Sequence, residues 1–334
     1  VTMQDVARRA GVTKQTVSNV VTGRVAVRPE TEARVRAAID ELGYTPNLVA
    51  RSLATGSTRT VGLFVPTVTT AFYAHVVEEA EDALGRQGYH LLLCTTRRDG
   101  GRARQHLAGL TSRSVDGLLI AGDQDLPGRL PLPAGARFPV VLCAWETELP
   151  GRFPVVTIDY ELGGHLAGRH LRELGHERVA VLAGPAHGRR VAGLRRAFAD
   201  DGLTVPDSAV HLVPASAGLA GGIAAARAAL AADPDTTALF ATHDVLAAGA
   251  LQAARDAGRS VPRDLSVVGY DDDPAGPLSR PALTGVALPT REMARQAIEL
   301  LLGAVSAPGE PVGTPRPLPP ELIVRDSSGP VPRA

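Results

Sequence analysis

The sequence predicts an α/β protein: a small all-α helix-turn-helix head, then a body of two doubly wound parallel sheets. Three observations predict it. Residues 2–21 read as two short helices around a tight turn, strand-like and helical segments alternate from residue 60 onward, and the alternation fills two successive halves of the chain. Such an order argues for parallel sheets covered on both faces, and 334 residues suffice for about two or three domains.

The head comes first. In TMQDVARRAGVTKQTVSNVV, Thr2 is an N-cap and Asp5 lies in the first turn, where a carboxylate suits exposed N–H groups. Val6 and Ala10 share a face, Gly11 stops the helix, and Val12 is placed at a buried corner. Thr13 caps a second helix whose Val17, Val20 and Val21 turn toward the same interior. Lys14, Gln15, Ser18 and Asn19 are left on its outer face. A helix-turn-helix offers this part of its second helix to base edges, where Lys can donate to guanine, and Gln and Asn can pair with adenine. The alternative is a solvated face on a small helical domain. Residues 29–42 form a third helix, with Val35, Ile39 and Leu42 inward and Gly43 as its stop. From Asn47 to Gly56 the chain has room for about two helical turns, too few to be stable alone in water. This stretch is either a hinge that orders when something packs on it, with Leu53 as a wedge for a minor-groove step, or a plain linker.

In the body, 60–65, 89–94, 115–121 and 140–143 read as strands, with helices over 72–87 and 102–110 and a Pro- and Gly-rich loop over 127–139. The second half repeats the scheme: helices over 162–174, 191–200, 222–232 and 245–257, and strands over 178–182, 210–213, 238–241 and 265–268. Open α/β sheets bind ligands beyond the carboxyl ends of their strands, so chemistry is sought there. Phe72 and Tyr73, Trp145, Asp159, the segment from His187 to Arg190, His243 and Asp271 all follow such strands. Arginine and aspartate supply charged hydrogen bonds and an aromatic supplies a stacking floor, which together suit a hydroxyl-rich ligand. Each residue also has a structural role open to it. Arg190 can pair with Asp159, Asp271 and His243 can serve helix ends, and the aromatic side chains can pack a lobe interface.

Charge is balanced overall but not locally: residues 1–60 carry Lys14 and eight arginines against five acids, leaving a mildly acidic remainder. A basic head on an acidic body fits a nucleic-acid module joined to something else. No run of 18 apolar residues exists and the first residues already cap a helix, so neither a membrane span nor a secretory leader is expected. Cys94 and Cys143 sit in apolar strand-like runs and are expected as buried thiols in a reducing cytoplasm. Lys14 is the only lysine, which removes P-loop and Schiff-base chemistry; no metal-ligand or nucleophile-elbow spacing occurs. His165, His170 and His176 are read as an exposed helix and its turn. Neither catalysis nor a cofactor nor a metal is expected.

TMQDVARRAGVTKQTVSNVVTG, ELGYTPNLVARSLATGST and VGLFVP, in this order and spacing, resemble the lactose-repressor (LacI/GalR) family of bacterial transcription regulators, and the likeness runs to PPELIVRDSS at 319–328. The resemblance implies a headpiece over 1–46, a hinge over 47–59 and a two-lobed, periplasmic-binding-protein-like body over 60–334. Lobe 1 would take 60–157 and 289–316, lobe 2 158–287 and 317–327, with crossings near 158, 288 and 317. It implies a homodimer, sometimes a tetramer, on pseudo-palindromic double-stranded operator DNA. A small effector between the lobes would change DNA affinity, with a sugar the first expectation and a nucleoside-like ligand the second. No leucine heptads follow residue 327, so an appended tetramerisation helix is not expected.

By motif, Lys14, Gln15 and Asn19 are the base readers and Leu53 the intercalating leucine. Thr2, Thr13, Thr16, Ser18, Asn47 and Arg51 complete the implied DNA contacts. Asn19 stands where the family usually has Arg, which favours adenine over guanine there. Arg190 in RVAGL resembles the effector arginine and Asp271 in VVGYDD the effector aspartate. His243 replaces the usual Asn, and Ala144 stands where Asp is frequent. Phe72, Tyr73, Trp145 and Asp159 complete the implied effector set. A solute-binding protein with the same two lobes is the rival reading, and the head distinguishes the two.

Overall fold

The structure is a computed structural model that describes residues 1–23, 25–45, 56–97, 99–110, 114–122, 138–146, 153–272, 275–310 and 312–332. The chain forms two compact units, Val1–Thr60 with Leu110–Asp116, and Val61–Gly109 with Gly117–Ala334. Asn47, Arg51 and Leu53 of the expected hinge, Arg24, most of the 127–139 loop, and Asp273 lie outside the described residues.

In the first unit, α1 (Met3–Ala10), α2 (Lys14–Thr22) and α3 (Pro29–Leu42) follow the sequence reading closely. The Thr2 hydroxyl accepts from the Asp5 N–H at 3.3 Å while the Asp5 carboxylate accepts from the Thr2 N–H at 2.9 Å, a reciprocal cap at the start of α1. Gly11 ends α1 at φ 66°, a left-handed turn that glycine adopts without Cβ strain. Val6, Ala7, Ala10, Val17, Val35 and Ala38 form the small core. Val12 is only half-buried: it stands on the turn, where neighbours cover one side of it. Past residues 46–55, the Asp116 carboxylate accepts from the Ser57 hydroxyl, the Thr58 N–H at 2.7 Å and the Arg59 N–H at 2.9 Å.

In the second unit, the described residues form a five-stranded sheet, order β2-β1-β3-β4-β5, and a six-stranded sheet, order β11-β10-β9-β8-β6-β7. The first comprises β1 (Thr60–Val65), β2 (His90–Thr95), β3 (Gly117–Ala121), β4 (Val140–Cys143) and β5 (Val155–Val156). Around it lie α4 (Ala71–Arg86) and α5 (Gly100–Leu110). The parallel register Val61↔Gly117 and Leu118↔Val140 puts β1, β3 and β4 at its centre, and their fully apolar runs are buried on both faces, as an interior parallel sheet requires. β2 is an edge strand instead. Leu92 and Leu93 are exposed there and Cys94 is only half-buried, which corrects the expectation of two buried thiols. Cys143 is buried, and burial pushes its thiol up to about 12, well outside nucleophilic range.

The second sheet comprises β6 (Val179–Ala183), β7 (Val210–Leu212), β8 (Ala238–Ala241), β9 (Ser266–Asp271), β10 (Thr284–Ala287) and β11 (Glu321–Ile323). Its helices are α6 (Tyr160–Glu173), α7 (Gly188–Ala199), α8 (Gly218–Ala232) and α9 (Asp244–Asp256), with the short α10 (Ala275–Leu278) between β9 and β10. β11 runs antiparallel to β10, closing that edge. Two returns of the chain, β10 and β11, are strands the sequence reading did not assign. After β10 the chain leaves as α11 (Thr290–Ser306), which packs on α4 and on β3 and β4 of the first sheet. Its late segment comes back to bridge Ile158 with Leu318 in parallel.

The stretch Ala215–Ala232 is, among the described residues, long and apolar enough to cross a membrane by length and composition. An unbroken-run criterion misses it, because its hydropathy comes from alanine interrupted by glycine and Arg227. Its Gly222, Ala226 and Ala229 face is buried, with Gly222 against α9 at Leu246.

His176 also departs from expectation, being fully buried rather than exposed. Its Nε2 lies 3.0 Å from the Gly329 carbonyl and 3.0 Å from the Ser266 hydroxyl, and its Nδ1 lies 2.9 Å from the Thr237 hydroxyl. The carbonyl fixes the tautomer: Nε2–H donates, and Nδ1 accepts from Thr237. His170 pins the same tail through the Ser328 hydroxyl at 2.8 Å. Burial holds both imidazoles below their usual value. The unfolded chain therefore takes up protons that the folded one refuses as pH falls below about 6.5, the ordinary value. Stability should be full above that pH and decline beneath it. Melting followed from pH 8 to pH 5 should show this, and His176→Gln should flatten the slope; an unchanged slope would assign it elsewhere.

Candidate functional site

The head presents its candidate readers from the first turns of α2. Lys14 and Gln15 are exposed, and the Gln15 amide donates to Asn19 Oδ1 at 3.1 Å, so the two side chains are aligned along one face. Thr13 caps the helix through the Thr16 N–H at 3.2 Å, and its hydroxyl meets that of Thr16 at 2.9 Å. Ser18 and Asn19 are half-buried. Thr2 is held by Asp5, so Thr2 and Thr13 work first as caps that fix the two helices, and Thr16 supplies the N–H that Thr13 caps.

In the body, the polar residues gather at the carboxyl ends of the parallel strands. Glu146 follows β4, Arg190 sits in the first turn of α7 after β6, Thr242 and His243 follow β8, and Asp271 ends β9. Arg190 is 5% exposed. Its Nε and Nη2 donate to Glu146 at 3.1 and 3.0 Å, and its Nη1 donates to the Thr242 carbonyl at 2.7 Å and to Asp271 at 3.2 Å. The Tyr270 and Tyr160 rings flank the guanidinium at 4.3 and 4.9 Å. Burial works against its charge, but Glu146 and Asp271 more than offset that and raise its pKa further. Burial likewise pushes the Tyr160 and Tyr270 phenols up, so both stay neutral.

Asp271 takes a left-handed φ of 100°, which turns its carboxylate toward both neighbours. Its second oxygen lies 2.7 Å from His243 Nδ1. The His243 ring meets that of His187 edge-on at 4.6 Å, and His187 Nδ1 lies 2.8 Å from the Thr242 hydroxyl. A cavity of about 320 Å³ opens beside Asp271, walled by Phe72, His75, Asp272, Arg291 and Glu292 among others.

The structure thus brings Arg190, His243 and Asp271 together, and places Phe72 on the cavity that Asp271 also lines. Tyr73 is buried behind it, edge-on to Phe72 at 5.1 Å. Trp145 is buried, and its indole N–H has no hydrogen-bond partner among the described residues. Asp159 caps α6 through the Leu162 N–H at 2.9 Å instead of pairing with Arg190. Glu146 is the partner that sequence reasoning missed, with Thr242; His187, in the segment singled out after β6, does join the cluster. The only signal for Glu146 was a lone acid after an apolar strand, in a chain rich in such acids. No group of three or more His, Cys, Asp or Glu among the described residues could hold a metal ion.

A helix-turn-helix unit joined to a two-sheet body with a polar cluster at its strand ends defines a ligand-responsive DNA-binding regulator. Comparison with known proteins narrows this. Residues 2–47 match the family described as "Bacterial regulatory proteins, lacI family", and residues 169–328 match a periplasmic binding protein-like domain. The transcriptional repressor PurR of Haemophilus influenzae is 33% identical, over 98% of this chain and 98% of its own length. Two solved structures cover 98% of this chain and 99% of their own. The transcriptional regulator CelR in complex with cellobiose is 33% identical with a TM-score of 0.74. The lac repressor dimer bound to operator and the anti-inducer ONPF is 27% identical with a TM-score of 0.85. The chain belongs to the LacI family of bacterial transcription regulators.

Proposed function

We propose that this regulator binds a pseudo-palindromic operator as a homodimer in the cytoplasm, where its DNA lies, and that a sugar bound at the Arg190–Asp271 cluster changes its operator affinity. Repression is the expected mode, and no catalytic step is assigned. Lys14, Gln15 and Asn19 read base edges, Thr2, Thr13, Thr16 and Ser18 approach the backbone, and Asn47, Arg51 and Leu53 act in the hinge, Leu53 as the minor-groove wedge. Sugar hydroxyls bind at Asp271 and His243, with Phe72 as an apolar wall and Tyr73, Trp145 and Asp159 supporting the site. Occupancy biases the lobes toward one arrangement and so changes hinge spacing, a coupling of ~1–3 kcal/mol or ~5–150-fold in affinity.

The observation that carries this reading is the convergence of arginine, aspartate and histidine at strand ends beside a cavity with an aromatic wall. The likeness to a cellobiose-bound regulator supports a sugar. The test is selection of duplexes from a random pool by the full-length chain, followed by titration with neutral mono- and disaccharides. A symmetric site, with affinity that moves on adding one sugar, is expected. No preference over random duplex in any condition would end the proposal.

A further inference from the structure

The polar cluster also restricts the charge of what can bind. An open arginine fork offers two parallel donors to a carboxylate or phosphate. Here that fork is occupied from within: Glu146 takes Nε and Nη2 side by side, and Nη1 is shared between the Thr242 carbonyl and Asp271. One guanidinium therefore faces two carboxylates, both largely buried.

Two further arginines at the site are matched as well. Arg325 is held by Asp272, with Nη2 at 3.0 Å from Oδ2, and Arg291 on the cavity wall pairs with Glu78 at 3.0 Å. Glu292, on the same wall, is engaged by Arg295. The chain's only lysine is in α2 of the other unit. Arg190, Arg291 and Arg325 thus each already have a carboxylate, and His243 is held by Asp271. An anionic ligand would approach Asp271 and Asp272 with none of these three arginines free to receive it, at a cost that grows as water leaves the site. A neutral polyol meets the opposite situation, because its hydroxyls donate to the carboxylate oxygens.

We infer that the site admits neutral sugars and excludes uronates, aldonates and phosphorylated sugars, and that Glu146 is the residue that sets this selectivity by closing the Arg190 fork. The inference rests on the proposed sugar reading and deepens it. Glu146 acts through Arg190, and its removal should change the preference between neutral and anionic ligands.

The test compares cellobiose, D-glucose and D-ribose with D-glucuronate and D-gluconate by calorimetry and thermal shift on the full-length protein. At least one neutral sugar should raise the melting temperature, and neither anion should at equal concentration. Glu146→Gln keeps the shape and removes the competing charge. It should shift the ratio of D-glucuronate or D-gluconate affinity to neutral-sugar affinity by about tenfold or more in favour of the anion. Circular dichroism checks that the variant folds, and the wild-type comparison stands without it. Binding of an anion by wild type as tightly as a neutral sugar would overturn the inference while leaving the sugar reading intact. So would an E146Q variant with unchanged preference. Response to neither set would sink the sugar reading itself, and this inference with it.

Discussion

Replacing Arg190 by alanine should destabilise the body by about 3–5 kcal/mol, the usual cost of stranding a buried charge. The guanidinium is the common partner of Glu146, Asp271 and the Thr242 carbonyl, and its two carboxylates are 4% and 13% exposed. Without it they face each other across a gap, and the Tyr160 and Tyr270 rings lose the group they flank. For a body of this size that corresponds to roughly ten degrees in melting temperature. Urea unfolding of wild type and variant reads the loss. Arg190→Lys keeps the charge but not the planar fork, and should recover only part of the stability. A loss of the same size in both variants would mean that Arg190 acts through its shape and packing rather than its charge. All response to ligand should be lost in the alanine variant.

Gly164→Ala should be nearly as damaging, although it adds one methyl group. A Cβ on Gly164 would stand 1.9 Å from the Arg190 carbonyl oxygen, and one on Gly193 would stand 1.9 Å from that of Glu161. The two helices cross backbone against backbone, so neither side chain rotation nor a small shift relieves the clash. Overpacking of this kind costs about 1–3 kcal/mol, here at or above the top of that range, against about 1 kcal/mol gained in helix propensity. Because Arg190 rides on α7, widening the crossing also moves the guanidinium from Glu146 and Asp271. Ligand response should therefore fall more than stability alone explains. Gly303→Ala in α11 is the control: nothing lies within 4 Å of its Cβ, and it should be neutral or slightly stabilising. If both substitutions behave alike, the close crossing is not what fixes the site.

Much of this was legible along the chain because the signals are local. Thr2, Gly11, Thr13 and Gly43 mark helix ends through hydrogen bonds that span only a few residues, and all four stand at those ends. The apolar runs of β3, β4, β6 and β8 announce interior parallel strands for the same reason. β10, β11 and α11 were not assigned from the sequence, because short strands and a helix that joins the other sheet depend on distant partners. Leu92 and Leu93 read as core yet are exposed, since only the strand order makes β2 an edge.

The sequence by itself determined the helix-turn-helix head, the alternating body and the residue types gathered at strand ends. Periodicity and capping are short-range properties, and any chain with these spacings would carry them. Only the tertiary structure decided who pairs with whom. Arg190 meets Glu146 across 44 positions and Asp271 across 81, while Asp159 is taken by its own helix. His176, placed by sequence on a turn, is buried by a tail that returns from 153 positions away. Electrostatic partnership in a buried cluster is set by distance and by the exclusion of water. Neither exists until the two sheets have packed.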